Sequence, residues 1–193
     1  MSRLFRASIL LLLLAACGGG GNFSAPRNLE NACAIVDERP EYWRAMKDTE
    51  RRWGVPIHVQ MATIHQESKV IGNARTPHRY VRGIIPMGRQ SSAYGYSQAL
   101  DGTWEEYQRD QRRRGAKRDR ITDATDFMGW YFTESNRGLG IPMDDAEAQY
   151  LAYHEGRTGY ANQSYLDKPW LVEVAAEVGA RATLYDSQLA YCR

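Results

Sequence analysis

Three short segments of this 193-residue chain gather residue types that move protons and hold polar ligands: Gln66-Glu67-Ser68, Ala93-Tyr94-Gly95-Tyr96-Ser97-Gln98 and Ala152-Tyr153-His154-Glu155-Gly156. Glu67 closes a run in which Ile57, Met61 and Ile64 recur at intervals of four and three, so on a helical wheel its side chain flanks an apolar stripe. A carboxyl group at the edge of a core loses part of its hydration. That disfavours the carboxylate and raises the pKa, which a general acid working near neutral pH requires. The competing reading is a surface glutamate at a solvated helix end. Gly95 allows close backbone approach, Gln98 both donates and accepts hydrogen bonds, and Tyr153 and His154 add a hydroxyl and an imidazole. The four histidines show no zinc spacing such as His-Glu-x-x-His, which argues against His154 as a metal ligand, and acid–base chemistry by a carboxyl group needs neither a metal nor an organic cofactor.

These side chains need a scaffold, and the periodicity is mostly helical. Residues Asp37 to Trp53 place Trp43, Met46, Glu50 and Trp53 at helical spacing and stop at Gly54. A second helix opens at Pro56 and runs through Glu67. Lys69 to Ser92 lacks helical period, and Arg79 to Ile85 reads as a short strand or hairpin, with the whole stretch a candidate wall of a cleft. Further helices are expected from Asp101 to about Arg113 and from Asp123 or Asp126 to about Asn136, with the aspartates as N-caps. Asp144 and Glu147 suggest a capping box for a helix ending at Gly156. A last helix begins near Pro169, carrying the stripe Leu171, Ala175, Val178, Ala182 and Tyr185. The predicted fold is mainly α, with at most a small β hairpin.

Together with Gly54-Val55-Pro56, the three segments resemble the lysozyme-like (α+β) catalytic domain of soluble-type lytic transglycosylases, related to goose-type lysozyme, over about Trp53 to Tyr160. The resemblance implies that Glu67 is the single catalytic acid/base, with Ser68 beside it. It implies that Gly95, Tyr96 and Gln98 stand in the family's Gly-Leu-Met-Gln stretch, and Tyr153 and His154 in its Ala-Tyr-Asn-Ala-Gly motif, where the tyrosine hydroxyl reaches the catalytic glutamate. Tyr96 and Ser97 replace Leu and Met, and His154 and Glu155 replace Asn and Ala. Trp104 and Tyr107 are read as core rather than as sugar platforms. The implied substrate is the glycan strand of peptidoglycan, cut between N-acetylmuramic acid and N-acetylglucosamine with a 1,6-anhydro product. Glu155 leaves an alternative open: a second carboxylate in the cleft could activate water for inverting hydrolysis, at a carboxyl separation of about 6.5 to 9.5 Å. A muramidase of the same fold and a non-catalytic glycan-binding lipoprotein are the rival readings.

The N-terminus reads as an export leader. Arg3 and Arg6 precede an apolar run from Ala7 to Ala16 too short to span a bilayer. Leu14-Ala15-Ala16-Cys17 resembles a bacterial lipobox, with Cys17 the lipidated residue against the reading of a plain signal peptide. The expected organisation is a signal peptide over 1–16, a lipidated cysteine and flexible linker over 17–32, and a catalytic domain over 33–193. Gly18, in place of an aspartate, points to an outer-membrane anchor facing the periplasm. Cys33 and Cys192 remain, and export to an oxidising compartment predicts a bridge between them, with two free thiols as the alternative.

The net charge of +2 equals the contribution of Arg3 and Arg6, so the mature protein is near neutral, which argues against a dedicated nucleic-acid binder. The cluster Arg109 to Arg120 is either a solvated helix end and loop or a surface meeting anionic stem peptides or envelope polymers. Partners in an envelope-spanning machine are a further expectation.

Overall fold

The computed structural model describes residues 23–82 and 84–192; the leader, Cys17 and its glycine spacer lie outside them. Among the described residues there are seven α-helices, one 3-10 turn and one two-stranded hairpin, a mainly α fold of lysozyme-like class. In chain order these are α1 (Ala32–Glu38), α2 (Pro40–Trp53), α3 (Ile57–Ser68), β1 (His78–Val81), β2 (Ile85–Arg89), α4 (Asp101–Asp110), α5 (Ile121–Leu139), α6 (Ala146–Ala161), the 3-10 turn (Ser164–Asp167) and α7 (Pro169–Leu189).

Two helices form the centre. In α5, Ala124, Phe127, Met128, Trp130, Tyr131 and Phe132 are all buried, and Phe127, Trp130, Tyr107 and Trp104 make a cluster of rings with centroids 5.1 to 5.8 Å apart. Trp104 and Tyr107 therefore belong to the core. In α3, every residue from Val59 to His65 is buried, because α2, α6 and α7 pack around it. Among the polar groups this traps, Gln60 donates its side-chain amide nitrogen to the carbonyls of Met46 and Val55 at 3.0 and 2.8 Å. Helix α7 lays Leu171, Ala175, Val178, Ala182, Tyr185 and Leu189 against the body, the stripe its sequence spacing predicts.

Several helix starts differ from the sequence reading. The predicted helix from Asp37 is two helices. Pro40 takes the first position of α2, and Arg39 before it is held outside the helical region (φ −132°, ψ 71°), which ends α1. The aspartates expected as caps have other work. Asp101 lies inside the first turn of α4 and pairs with Arg118 at 2.6 Å. Helix α5 starts at Ile121, so Asp123 and Asp126 sit within it. Asp126, buried, accepts from Arg52 and the Trp53 indole at 2.9 Å, Tyr107 at 2.5 Å and Arg113 at 2.6 Å. Asp123 binds Arg113 and the Lys117 amide. These aspartates consume part of the Arg109 to Arg120 cluster as internal ties. Helix α6 is capped by Asp145, which accepts from the Ala148 amide, rather than by Asp144.

The segment assigned to a flexible linker is docked over its second half. Pro26 is buried, Leu29 accepts from the Tyr185 hydroxyl at 2.5 Å, Glu30 pairs with Arg181 at 2.9 Å, and the Ala32 amide donates to Gln188 at 2.7 Å. Cys33 and Cys192 form the predicted disulfide, with Cα atoms 5.7 Å apart. The hydrophobic core runs from Ala32 to Leu189 and the bridge ties its two ends, so the described residues carry one continuous core of their own.

Candidate active site

Helix α3 stops at Ser68, one residue after Glu67. Lys69 and Val70 both take left-handed backbone conformations (φ 51° and 62°), and the Lys69 amide closes on the His65 carbonyl at 3.0 Å. The stop leaves Glu67 in the last turn, facing α6 and lining a cleft of about 470 Å³. Thr76 and Ala93 line it from the hairpin side, Gln98 and Leu100 from just before α4, Thr103 from its first turn, and Phe127 and Tyr131 from α5. Tyr153, His154, Glu155 and Gly156 complete it from α6.

Burial against these apolar rings pushes the Glu67 carboxyl up to about 7. Two weaker effects oppose the burial: the polar hydroxyl of Tyr150 and the charge of Lys69. Tyr150 is itself buried, and Lys69 Nζ donates to Gln66 Oε1 at 3.4 Å. The hydroxyl of Tyr153, which the resemblance directs to Glu67, donates instead to the Ser97 carbonyl at 2.5 Å. Its ring packs against Tyr131 and Phe132 with centroids 5.0 and 5.8 Å away. Tyr150 and Tyr153 are three apart on α6 and so share a face. That spacing was the available signal for Tyr150, which the motif comparison passes over.

The second segment divides. Gln98 lines the cleft with its amide nitrogen engaged by the carbonyls of Ala74 (3.0 Å) and Gly95 (2.8 Å), which leaves its oxygen to face a ligand. Tyr96, expected to bind substrate, does not line the cleft. It is buried with its hydroxyl 3.0 Å from that of Tyr42. Ser68 is likewise buried, bonding the Ile64 carbonyl. Gly95 has φ +80°, and a Cβ there would lie 2.1 Å from the Arg118 carbonyl oxygen. The glycine admits the turn that carries Arg118, and the Tyr96 amide bonds the same carbonyl at 3.2 Å.

In the third segment Gly156 (φ 75°, ψ 156°) breaks α6 with a conformation that only glycine holds without strain. Just before the kink, Glu155 turns its carboxylate onto the α6–α7 connection, with Ser164 Oγ at 2.6 Å and Lys168 Nζ at 2.7 and 2.9 Å. His154 Nδ1 lies 3.3 Å away. The Lys168 bond, followed by that from Ser164, holds the Glu155 carboxyl at about 2. Two carboxyl groups thus meet one cleft in opposite states, Glu67 kept protonated toward neutral pH and Glu155 kept ionised. His154 is exposed, its ring edge-on to Trp170 at 5.3 Å.

Among the described residues no group of histidine, cysteine, aspartate and glutamate side chains is arranged to hold a metal ion. The residues of the cleft are those of acid–base chemistry on a neutral, hydroxyl-rich ligand: one carboxyl near neutrality, an amide oxygen, and aromatic faces. Compared with known proteins, the chain is matched over residues 5–192 by the family model described as Transglycosylase SLT domain. No curated protein matches it.

Proposed function

The chain belongs to the transglycosylase SLT-domain family, whose activity is lytic cleavage of peptidoglycan glycan strands, and from that premise we propose that Glu67 is its single acid/base residue. The observation that carries this reading is a carboxyl group lining the cleft with a pKa raised to about 7 by burial, so that it carries a proton when substrate arrives. Glu67 delivers that proton to the oxygen bridging N-acetylmuramic acid and N-acetylglucosamine. The bond from C1 to that oxygen breaks, and the 2-acetamido group of the substrate stabilises the cationic centre. Glu67, now a carboxylate, takes the proton of the muramoyl C6 hydroxyl as its oxygen bonds C1. The product is the 1,6-anhydro sugar, no water is consumed, and Glu67 ends protonated as it began. Gln98 through its oxygen and Tyr153 through its ring shape the sugar site; His154, at the exposed rim, contacts the substrate beyond it. Ser68, Gly95 and Tyr96 act from behind, holding the walls.

The rival hydrolytic reaction needs a base for water. Glu155 is the available second carboxylate, and a group held at about 2 by Lys168 and Ser164 is a weak proton acceptor. Attachment to the outer membrane, facing the periplasm, would come from a lipid on Cys17; among the described residues no helix is long and apolar enough to cross a membrane. Partners in an envelope-spanning machine belong to the same proposal.

The test is mass spectrometry of muropeptides released from purified sacculi by residues 23–193. Products lighter by one water than their hydrolysed counterparts are expected. Reducing-end products would reassign the enzyme as a muramidase, and binding without release would make it a glycan-binding protein.

Two substitutions refine the site. Tyr150→Phe removes the hydroxyl that favours the Glu67 carboxylate, so the Glu67 pKa rises and the alkaline limb of the pH–rate profile moves to higher pH. The peak rate should fall by about fivefold, the worth of one polar contact. An unmoved alkaline limb would show that Tyr150 does not act on Glu67. Glu155→Gln is expected to keep the rate within about tenfold of the parent. It should lower stability by at most about 1 kcal/mol, because Lys168 is half exposed. The depressed pKa of Glu155 sets the sign: its contribution is present above the ordinary carboxylate pKa of 4.5 and is lost as pH falls toward 2. A rate loss matching that of Glu67→Gln would install Glu155 as a second catalytic carboxylate.

A further inference from the structure

The hairpin between α3 and α4 is the least buried part of the described chain, with every residue of both strands exposed. Two-stranded hairpins without a covering layer are marginal, and exposed apolar strands are normally avoided. This one does the opposite. Of the eleven large hydrophobic residues exposed among the described residues, five stand within it: Tyr80, Val81, Ile84, Ile85 and Met87, with Ile84 at 81% exposure. A concentration of that kind marks a contact surface.

Its arrangement narrows the partner. In the antiparallel register Val81 faces Ile85 and Tyr80 faces Pro86, so adjacent pairs, which point to opposite sides, are both apolar. A protein partner covering one face would leave the other wet, whereas immersion of the tip covers both. The surroundings are cationic: from Lys69 to Leu100 the sequence holds no aspartate or glutamate, and Arg79 and Arg82 in the hairpin make no ion pair among the described residues. Apolar side chains flanked by arginines fit the boundary between acyl chains and phosphate headgroups. Peptidoglycan strands offer anionic peptides but no apolar phase to receive the isoleucines.

A second observation comes from the other end of the chain. Phe23, the first described residue, accepts a hydrogen bond from the Gly72 amide at 3.1 Å, six residues before β1 begins. The route toward Cys17 therefore leaves from the foot of the hairpin, and six residues reach at most about 20 Å. A lipid on Cys17, which belongs to the proposed function, and the hairpin tip would touch the same bilayer. The contact itself does not depend on that lipid or on catalysis.

We propose that the tip formed by Tyr80, Val81, Ile84, Ile85 and Met87, flanked by Arg79 and Arg82, inserts into the interface of an anionic phospholipid bilayer and fixes the orientation of the domain on the membrane. Thr76, at the base of the hairpin, lines the cleft and accepts from the Ser91 amide while its hydroxyl donates to the Ser91 carbonyl, so a seated tip sets where the cleft faces.

The experiment uses residues 23–193, which lack Cys17, with vesicles of phosphatidylcholine alone and of phosphatidylcholine mixed with phosphatidylglycerol. Co-sedimentation with the mixed vesicles is expected, lowered about tenfold or more by Ile84→Asp with Ile85→Asp and made less sensitive to salt by Arg79→Gln with Arg82→Gln. Tyr80→Trp should be quenched by brominated acyl chains. Circular dichroism of each variant distinguishes lost contact from lost fold, and the tryptophan readout needs no disruptive substitution. Equal sedimentation of parent and Asp variant, no sedimentation with mixed vesicles, or binding to sacculi that alone depends on Ile84 and Ile85 would overturn the proposal.

Discussion

Glu67→Gln is expected to lower glycan cleavage by about 10² to 10⁴-fold, the contribution of general acid–base catalysis, while making the domain more stable. Both effects follow from the same burial. Gln matches the neutral form of the acid in shape but has no proton to give. The folded-state pKa of about 7 lies above the ordinary value of 4.5, so the folded protein binds the proton more tightly than the unfolded chain does. The sign follows: stability is greatest below pH 4.5 as far as this group is concerned, falls as pH rises from 4.5 to about 7, and stays low above that. Removing the charge should recover about 1 to 3 kcal/mol at about pH 8 and less at about pH 5, read from urea midpoints at the two pH values. The rate of the parent should decline as pH rises through about 7, because the proton needed for the first step is lost. A variant with parental activity would remove Glu67 from the mechanism. A stability gain equal at both pH values would mean that charge burial is not its origin.

Reduction of the Cys33–Cys192 disulfide is the second large effect. The bridge spans 159 residues, joining the start of α1 to the segment after α7, and closing so long a loop in the unfolded chain contributes about 4 to 5 kcal/mol in the ideal case. A measured loss of about 2 to 5 kcal/mol is expected, either from reductant or from Cys33→Ser with Cys192→Ser, at an unchanged native far-ultraviolet spectrum. Contacts in the same region survive without it: Leu29 with Tyr185, Glu30 with Arg181, and Ala32 with Gln188. The loss should therefore appear in global unfolding rather than as release of α1 alone, which hydrogen exchange of the Ile35 and Val36 amides would register. Identical urea midpoints for the oxidised and reduced proteins would contradict the loop-closure account.

The apolar stripe of α7, the helix through Glu67, the hairpin after it and the pairing of Cys33 with Cys192 were all legible in the chain. Each depends on a local period, or on a residue type that leaves only one partner. The motif segments likewise announced a cleft containing Glu67, Gln98 and Tyr153. What tertiary structure alone decided was which atoms those segments meet. Asp101, Asp123 and Asp126 look like caps in one dimension, but arginines brought from other segments claim them. Tyr96 looks available to a ligand until Tyr42 closes over it, and Gly95 looks like a substrate contact until the Arg118 carbonyl occupies the space. Glu155 reads as a possible second base, and only the fold brings Lys168, thirteen positions on, against its carboxylate. Tyr150 reaches Glu67 only because α6 crosses the end of α3. Periodicity reports the face a residue presents, whereas partners distant in sequence are chosen by packing, and it is packing that removes water from Glu67 and sets its pKa.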